Sequence, residues 1–202
     1  VSADSIIALY ERYAADYDRD RGRFLQERSW LDRFLAHIPA GATVLDLGCG
    51  MGEPIARYLL SQGRAVVGVD SSASMIAMCR DRFPASEWLV ADMRELELGR
   101  RFAGILAWDS FFHLSAEDQR AMFERFARHA AAGAALMFTS GPRAGEAIGT
   151  YHGEPLYHAS LDPSEYESLL AANGFTVRAY VPDDPDCGEH TVWLAAYEVH
   201  TP

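Results

Sequence analysis

The segment Val44-Leu-Asp-Leu-Gly-Cys-Gly-Met-Gly-Glu53 joins an apolar run of strand length to a glycine-rich turn, with an acid, Asp46, two residues before the first glycine. Glycine-rich turns that follow a strand commonly cradle phosphates on backbone N–H groups. A carboxylate at that place repels phosphate. The turn is therefore expected to receive a ligand that carries positive charge where it meets Asp46.

Working outward, Thr43–Leu47 reads as a strand and Ile55–Gln62 as the helix after the turn. Ala65–Val69, Trp88–Val90, Gly104–Trp108 and Ala134–Ser140 read as further strands, with helices at Ser74–Phe83 and Ala116–His129. Near-continuous apolar strands alternating with helices predict a parallel sheet covered on both faces. Upstream, Ser5–Tyr17 reads as a helix with Ile6, Ile7, Leu9, Tyr10 and Tyr13 on one face, and Phe24–Ile38 as a second helix stopped by Pro39-Ala-Gly41. Downstream, Gly141–Gly153 reads as irregular, Tyr151–His158 as a loop, and Pro163–Asn173 as a helix ended by Gly174. Only Pro182–His190 separates the last strands, Thr176–Val181 and Thr191–Glu198, so they are expected to pair antiparallel. The fold class is α/β: a doubly wound, mostly parallel, seven-stranded sheet with an antiparallel last strand. One domain, 1–202, is expected, with helices over 1–40, a ligand-binding core over 41–140, and a loop with terminal strands over 141–202.

Composition narrows the function. The chain of 202 residues is 49% hydrophobic, has a formal net charge of -11, and carries no run of basic residues. Nucleic-acid partners are therefore not expected. All 18 basic residues are arginine, which excludes Schiff-base chemistry and a P-loop lysine. Three unpatterned cysteines, Cys49, Cys79 and Cys187, suggest a reducing compartment. Without a membrane-length apolar run or a signal-peptide pattern, a cytoplasmic protein with no membrane partner is expected.

In a doubly wound sheet, ligands sit beyond the carboxyl ends of the strands. Those ends carry Asp46, Asp70, Asp92 and Trp108-Asp109. A dinucleotide fingerprint, G-x-G-x-x-G, fails here, because Glu53 stands where the third glycine belongs. S-adenosylmethionine suits the set better. Its ammonium can meet Asp46 while the backbone of Gly48–Gly52 approaches its amino-acid end. Asp70 can accept from the ribose hydroxyls, Asp92 from the adenine amino group with Met93 covering the ring, and Trp108 can face the sulfonium.

Asp46-Leu-Gly-Cys-Gly-Met-Gly52, Gly68-Val-Asp70 and Ala91-Asp-Met93, in that order, resemble the motifs of class I S-adenosylmethionine-dependent methyltransferases, whose sheet is Rossmann-like. Tyr10-x-x-x-Ala14-x-x-Tyr17-Asp18 resembles the lid helix of their small-molecule branch. The resemblance covers roughly residues 10–140. It implies that Gly48, Gly50 and Gly52 line the methionine portion, that Ser71 and Met75 flank the adenosine, and that Cys49 is a small packing residue touching the cofactor. Tyr17 and Trp30 are candidate contacts from the lid region. Taken singly, Asp46 or Asp70 could each merely cap a helix.

The stretch Trp108-Asp-Ser-Phe-Phe-His113 lacks the prolines of the box found in nucleic-acid and protein amide methyltransferases, so a small-molecule acceptor is expected, at O or N. His113 and His158 are candidate bases or orienting donors. His113 could instead tie its loop to the helix that starts near Ala116, and His158 could merely pack or face solvent. The loop Tyr151–His158 is expected to close the acceptor pocket. His37, His129 and His200 are expected at the surface, and no metal site is expected. The alternatives are a dinucleotide-dependent oxidoreductase, and a non-catalytic module that senses S-adenosylmethionine or S-adenosylhomocysteine.

Overall fold

The computed structural model describes residues 2–198. Five parallel strands, β1 (Thr43–Leu47), β2 (Ala65–Asp70), β3 (Glu87–Val90), β4 (Phe102–Ala107) and β5 (Ala130–Ser140), form most of one sheet. β8 (Phe175–Asp184) and β9 (His190–Tyr197) complete it in the order β3-β2-β1-β4-β5-β9-β8, with β9 antiparallel to both neighbours. The seven-stranded, mostly parallel architecture is the one expected. From β1 the chain passes to β2 on one side and reaches β4 on the other, so strand order reverses between β1 and β4. That reversal opens a crevice at their carboxyl ends.

Alternate residues of β1 feed opposite faces. Leu45 and Leu47 pack with Phe123 and Phe126 of α6 (Ala116–His129) and Tyr166 of α7 (Pro163–Ala172). Val44 packs with Trp30 and Phe34 of α3 (Arg28–Leu35), Leu59 of α4 (Ile55–Ser61) and Ile76 of α5 (Ala73–Arg82). Gly104 permits the second layer to close, because a Cβ there would run into Ile38 and Phe34.

Several boundaries differ from expectation. The first helix is two, α1 (Asp4–Arg12) and α2 (Ala14–Asp20), broken where Tyr13 leaves helical geometry at ψ 20°. α3 is a core helix with four fully or nearly buried apolar side chains, so only α1 and α2 of the 1–40 region cover the crevice. The segment read as irregular is a hairpin, β6 (Gly145–Tyr151) and β7 (Glu154–Ser160), paired antiparallel from Gly145↔Ser160 to Tyr151↔Glu154. Its two-residue turn is His152-Gly153, at φ 48° and 80°, the doubly positive pair that a tight hairpin turn requires. His37 is exposed as expected, but His129 is buried, its Nε2 accepting from the Leu98 N–H at 3.1 Å and its Nδ1 donating to the Arg125 carbonyl at 2.9 Å. His200 lies outside the described residues. Among the described residues no helix is long and apolar enough to cross a membrane.

Candidate active site

Two adjoining lobes occupy the crevice, a larger and a smaller, and both are lined by Tyr17, Gly48, Gly50 and Asp109. The glycine turn forms their floor. Its amides are already used: Gly48 and Cys49 donate to the Val69 carbonyl at 2.8 and 3.1 Å, and Gly50 donates to Asp70 Oδ2 at 2.8 Å. With the N–H groups of Gly48, Cys49, Gly50 and, through the Cys49 carbonyl at 3.0 Å, Gly52 bonded within the protein, the turn is a poor cradle for a pyrophosphate. Gly48, at φ 71°, also lies so close to Ser110 that any Cβ would collide with that side chain.

The smaller lobe is polar. Asp46, 3% exposed, reaches it from the end of β1, and no donor among the described residues bonds its carboxylate. Burial, reinforced by the charge of Asp70, pushes its pKa up to about 7. Cys49 and Trp108 line the same lobe. The Cys49 thiol is pushed up by burial, which fits a packing role and not a nucleophile. Trp108 stacks on His190, ring centroids 5.4 Å apart. Arg21, not singled out from the sequence, also lines this lobe, and Glu27 accepts from its guanidinium at 2.6 Å.

The larger lobe collects Asp70, Ser71, Met75, Asp92 and Met93. Besides Gly50, Asp70 accepts from the Ser72 N–H at 2.8 Å, and burial holds its carboxyl above the usual range despite both bonds. Each oxygen accepts one of these bonds and keeps capacity for another. Asp92 is more committed. Arg94 clamps its carboxylate at 2.7–3.1 Å, and although burial pushes that carboxyl up, Arg94 outweighs burial and holds it below its ordinary value.

The roof is α1, through Ile6, Ile7 and Tyr10, together with Tyr17 of α2. Glu11 fastens this roof to the start of α5, accepting from Ser72 Oγ at 2.6 Å and Ser74 Oγ at 2.7 Å. Asp18 does the same with Arg82, at 2.6 Å. His113, 6% exposed, stands in the wall below. Its Nδ1 donates to the Tyr157 carbonyl at 2.8 Å, so Nε2 is the acceptor and takes the Tyr10 hydroxyl at 3.0 Å. Burial lowers its pKa to about 4, leaving a neutral ring. The tie runs to β7, not to the helix that follows.

Three expected residues stand elsewhere. Trp30 is 1% exposed in the α3 layer, its indole N–H donating to Asp184 at 2.7 Å, and lines neither lobe. Gly52, at φ 79°, turns toward Phe83 and Cys79, where a Cβ would come within 2.9 Å of the Phe83 ring; it serves packing against α5. His158 lies on β7 behind His113, ring centroids 4.8 Å apart, and lines neither lobe. The same holds for the whole 151–158 stretch. It backs the roof, Glu154 accepting from Arg12 at 2.5 Å and Tyr13 at 2.7 Å, instead of closing the cavity. Phe111 is core.

A doubly wound sheet with acids at successive strand ends and a roofed crevice at the switch point is the arrangement in which α/β proteins bind their ligands. Residues 44–133 match the family described as methyltransferase domain. Over 95 residues the chain is 38% identical to dTDP-3-amino-3,6-dideoxy-alpha-D-glucopyranose N,N-dimethyltransferase of Streptomyces fradiae, covering 46% of this chain and 37% of that protein. Over 81 residues it is 43% identical to trans-aconitate 2-methyltransferase of Azoarcus sp. (strain BH72), covering 38% and 32%. These matches span less than half the length of either relative. Among solved structures, 1,6-didemethyltoxoflavin-N1-methyltransferase of Burkholderia thailandensis superposes with a TM-score of 0.73 at 21% identity, covering 96% of this chain and 86% of that one. The chain is thus similar to methyltransferases in sequence over residues 44–133 and shares their fold over most of its length.

Proposed function

We propose that the protein binds S-adenosylmethionine across the two lobes and transfers its methyl group to a small-molecule oxygen or nitrogen by direct in-line displacement. The observation that carries this reading is the inverted polarity of the turn: its amides are consumed by Val69 and Asp70, and a buried carboxylate without a donor stands beside it. A dinucleotide pyrophosphate would meet Asp46 and the already bonded amides of Gly48, Cys49 and Gly50. An ammonium group meets a partner. On this reading Asp46 takes the ammonium, Arg21 the carboxylate of the methionine portion, and Asp70 the ribose hydroxyls, with Gly48, Gly50 and Cys49 against the methionine chain. Ser71, Met75 and Met93 enclose the adenine, while Asp92 positions Arg94 and keeps one lone pair for the adenine amino group.

The bound cofactor supplies an electrophilic methyl. The chain's own residues orient the acceptor and exclude water, from which much of the rate is expected. The roof of α1 and α2 acts as the lid that seals the reacting centre. His113 presents its Nε2 lone pair to the cavity whenever Tyr10 releases it, so it can take a proton from an acceptor hydroxyl or amine or orient it. His158 acts only through His113. The net charge of -11 and the three free cysteines favour a small metabolite over nucleic acid or a membrane surface, in the cytoplasm.

Calorimetry with S-adenosylhomocysteine, S-adenosylmethionine and NAD tests the cofactor. Binding of the first two and not the third is expected. NAD binding without a response to S-adenosylhomocysteine would refute the reading. Release of S-adenosylhomocysteine from S-adenosylmethionine in the presence of an acceptor separates an enzyme from a sensor.

A further inference from the structure

Asp109 follows β4 at φ 49°, a backbone region that residues with side chains rarely adopt. Its N–H donates to Thr139 Oγ1 at 2.9 Å, which fixes this turn against β5. His190, at the start of β9, meets Asp109 Oδ1 through Nε2 at 2.9 Å, and its Nδ1 donates to the Cys187 carbonyl at 2.6 Å. A ring that donates from both nitrogens is an imidazolium. Asp109 Oδ1 is thus taken, and no donor among the described residues reaches Oδ2. Asp109 lines both lobes, beside Tyr17 and Gly48.

The charges around it restrict what can dock there. Two guanidinium groups line the lobes, and neither is left for an acceptor: Arg94 is paired with Asp92, Asp4 and Asp118, and Arg21 with Glu27 and, on the reading above, with the carboxylate of the cofactor. His113 is held with its proton on Nδ1 and its acceptor nitrogen toward Tyr10. Asp46, Asp70 and Asp109 face the lobes with acceptor capacity to spare. An anionic acceptor would enter this field with no uncommitted cation lining the lobes among the described residues, whereas an ammonium is drawn in.

We infer that Asp109, held in place by His190, docks the methyl acceptor, and that this acceptor presents an amine and not a carboxylate. The inference rests on the methyltransferase reading above and names its substrate class. The protonated amine, its other N–H groups held by Asp109, gives one proton to solvent and gains its lone pair. That nitrogen forms the N–C bond as the methyl's C–S bond breaks, the electron pair stays with sulfur, and the positive charge leaves on the product ammonium.

The test loads the protein with S-adenosylhomocysteine by calorimetry. Failure at that step strikes the cofactor reading and not the docking of an amine. On the loaded protein, benzylamine and benzoate, similar in shape and opposite in charge, are titrated while the backbone amides of Asp109 and Ser110 and the ring nitrogens of His190 are followed by NMR. Benzylamine should shift these signals in a saturable way, at least tenfold tighter than benzoate. Asp109→Asn should abolish that preference, with retained S-adenosylhomocysteine binding marking the variant as folded. Asp109→Glu, which keeps the charge, should restore much of it, and His190→Gln should weaken it several-fold. Benzoate binding as tightly as benzylamine, an amine preference that survives Asp109→Asn, or no response to either compound overturns the inference.

Discussion

Replacing Asp46 by asparagine should stabilise the free protein while it cripples the ligand site. Asp46 is 3% exposed, lacks a donor, and has its pKa raised by burial from 3.8 to about 7. The unfolded chain ionises freely above 3.8, whereas the folded chain resists ionisation until about 7. Stability from this group is therefore fully present below 3.8 and is lost as pH rises toward 7. By linkage the loss at pH 7 is about 4 kcal/mol as an upper bound. The Asp46→Asn variant escapes that cost but leaves a buried amide short of partners, which returns about 1–3 kcal/mol. The net gain is about 1–3 kcal/mol, or roughly 3–10 °C in Tm for a chain of this length.

Binding should move the other way. The lost charge-assisted bond to an ammonium amounts to about 1.5–3 kcal/mol, so affinity for S-adenosylhomocysteine should fall about 10- to 100-fold. With the parent, binding at pH 6 should release close to one proton as Asp46 ionises against the ammonium. Calorimetry in buffers of different ionisation enthalpy reads this directly, and Asp46→Asn should abolish it. Scanning calorimetry of the free variant gives the other half. A lower Tm for Asp46→Asn, together with unchanged affinity and unchanged proton release, would refute the assignment of Asp46 as an unpaired acid awaiting a cation.

Asp70→Ala should weaken S-adenosylhomocysteine binding at least roughly tenfold, because it removes the ribose acceptor and also frees the Gly50 N–H that Asp70 holds at 2.8 Å. Asp70→Asn, which keeps an acceptor oxygen, should lose less by the same calorimetric measure. His113, lowered from 6.5 to about 4 by burial, gives stability that is full above 6.5 and is lost as pH falls toward 4, up to about 3 kcal/mol. Melting curves from pH 7 to 4 should be shallower for His113→Gln than for the parent. Gly48→Ala should cost about 1–3 kcal/mol in urea unfolding, since alanine is strained at φ 71° and its Cβ would strike Ser110.

The parallel sheet is legible in the sequence because burial on both faces leaves a plain trace, apolar runs each followed by a polar or glycine-rich end. The acids at the strand ends are legible for the same reason: the topology alone places Asp46, Asp70, Asp92 and Asp109 on one rim. Side-chain direction within a turn is not. Gly48, Gly50 and Gly52 are equally spaced, yet two line the cavity and the third faces Phe83. Trp30 is ambiguous in a related way, since an aromatic on an amphipathic helix does not declare which layer it enters. The hairpin is hidden because Gly145, Gly149, Gly153 and Pro155 read as loop residues. Its trace lies in the His152-Gly153 pair between two runs of strand length.

The hardest residue to foresee is His190, which lies far along the chain from its partner and follows a short polar connection between two strands. Nothing local marks it, because its role depends on β9 running antiparallel beside β5 and bringing its first residue to the end of β4. The contrast with Asp46 follows from how each acid obtains its electrostatic environment. Asp46 is isolated by the same apolar strand that positions it, so its lack of a partner is written into Val44–Leu47. Asp109 is paired with a tertiary neighbour, and a histidine contributed by the last strand can be exchanged without disturbing the glycine turn. Cofactor chemistry is therefore readable from the first half of the chain. The proposed acceptor site instead joins Asp109, inside the matched segment of residues 44–133, to His190, which lies outside it.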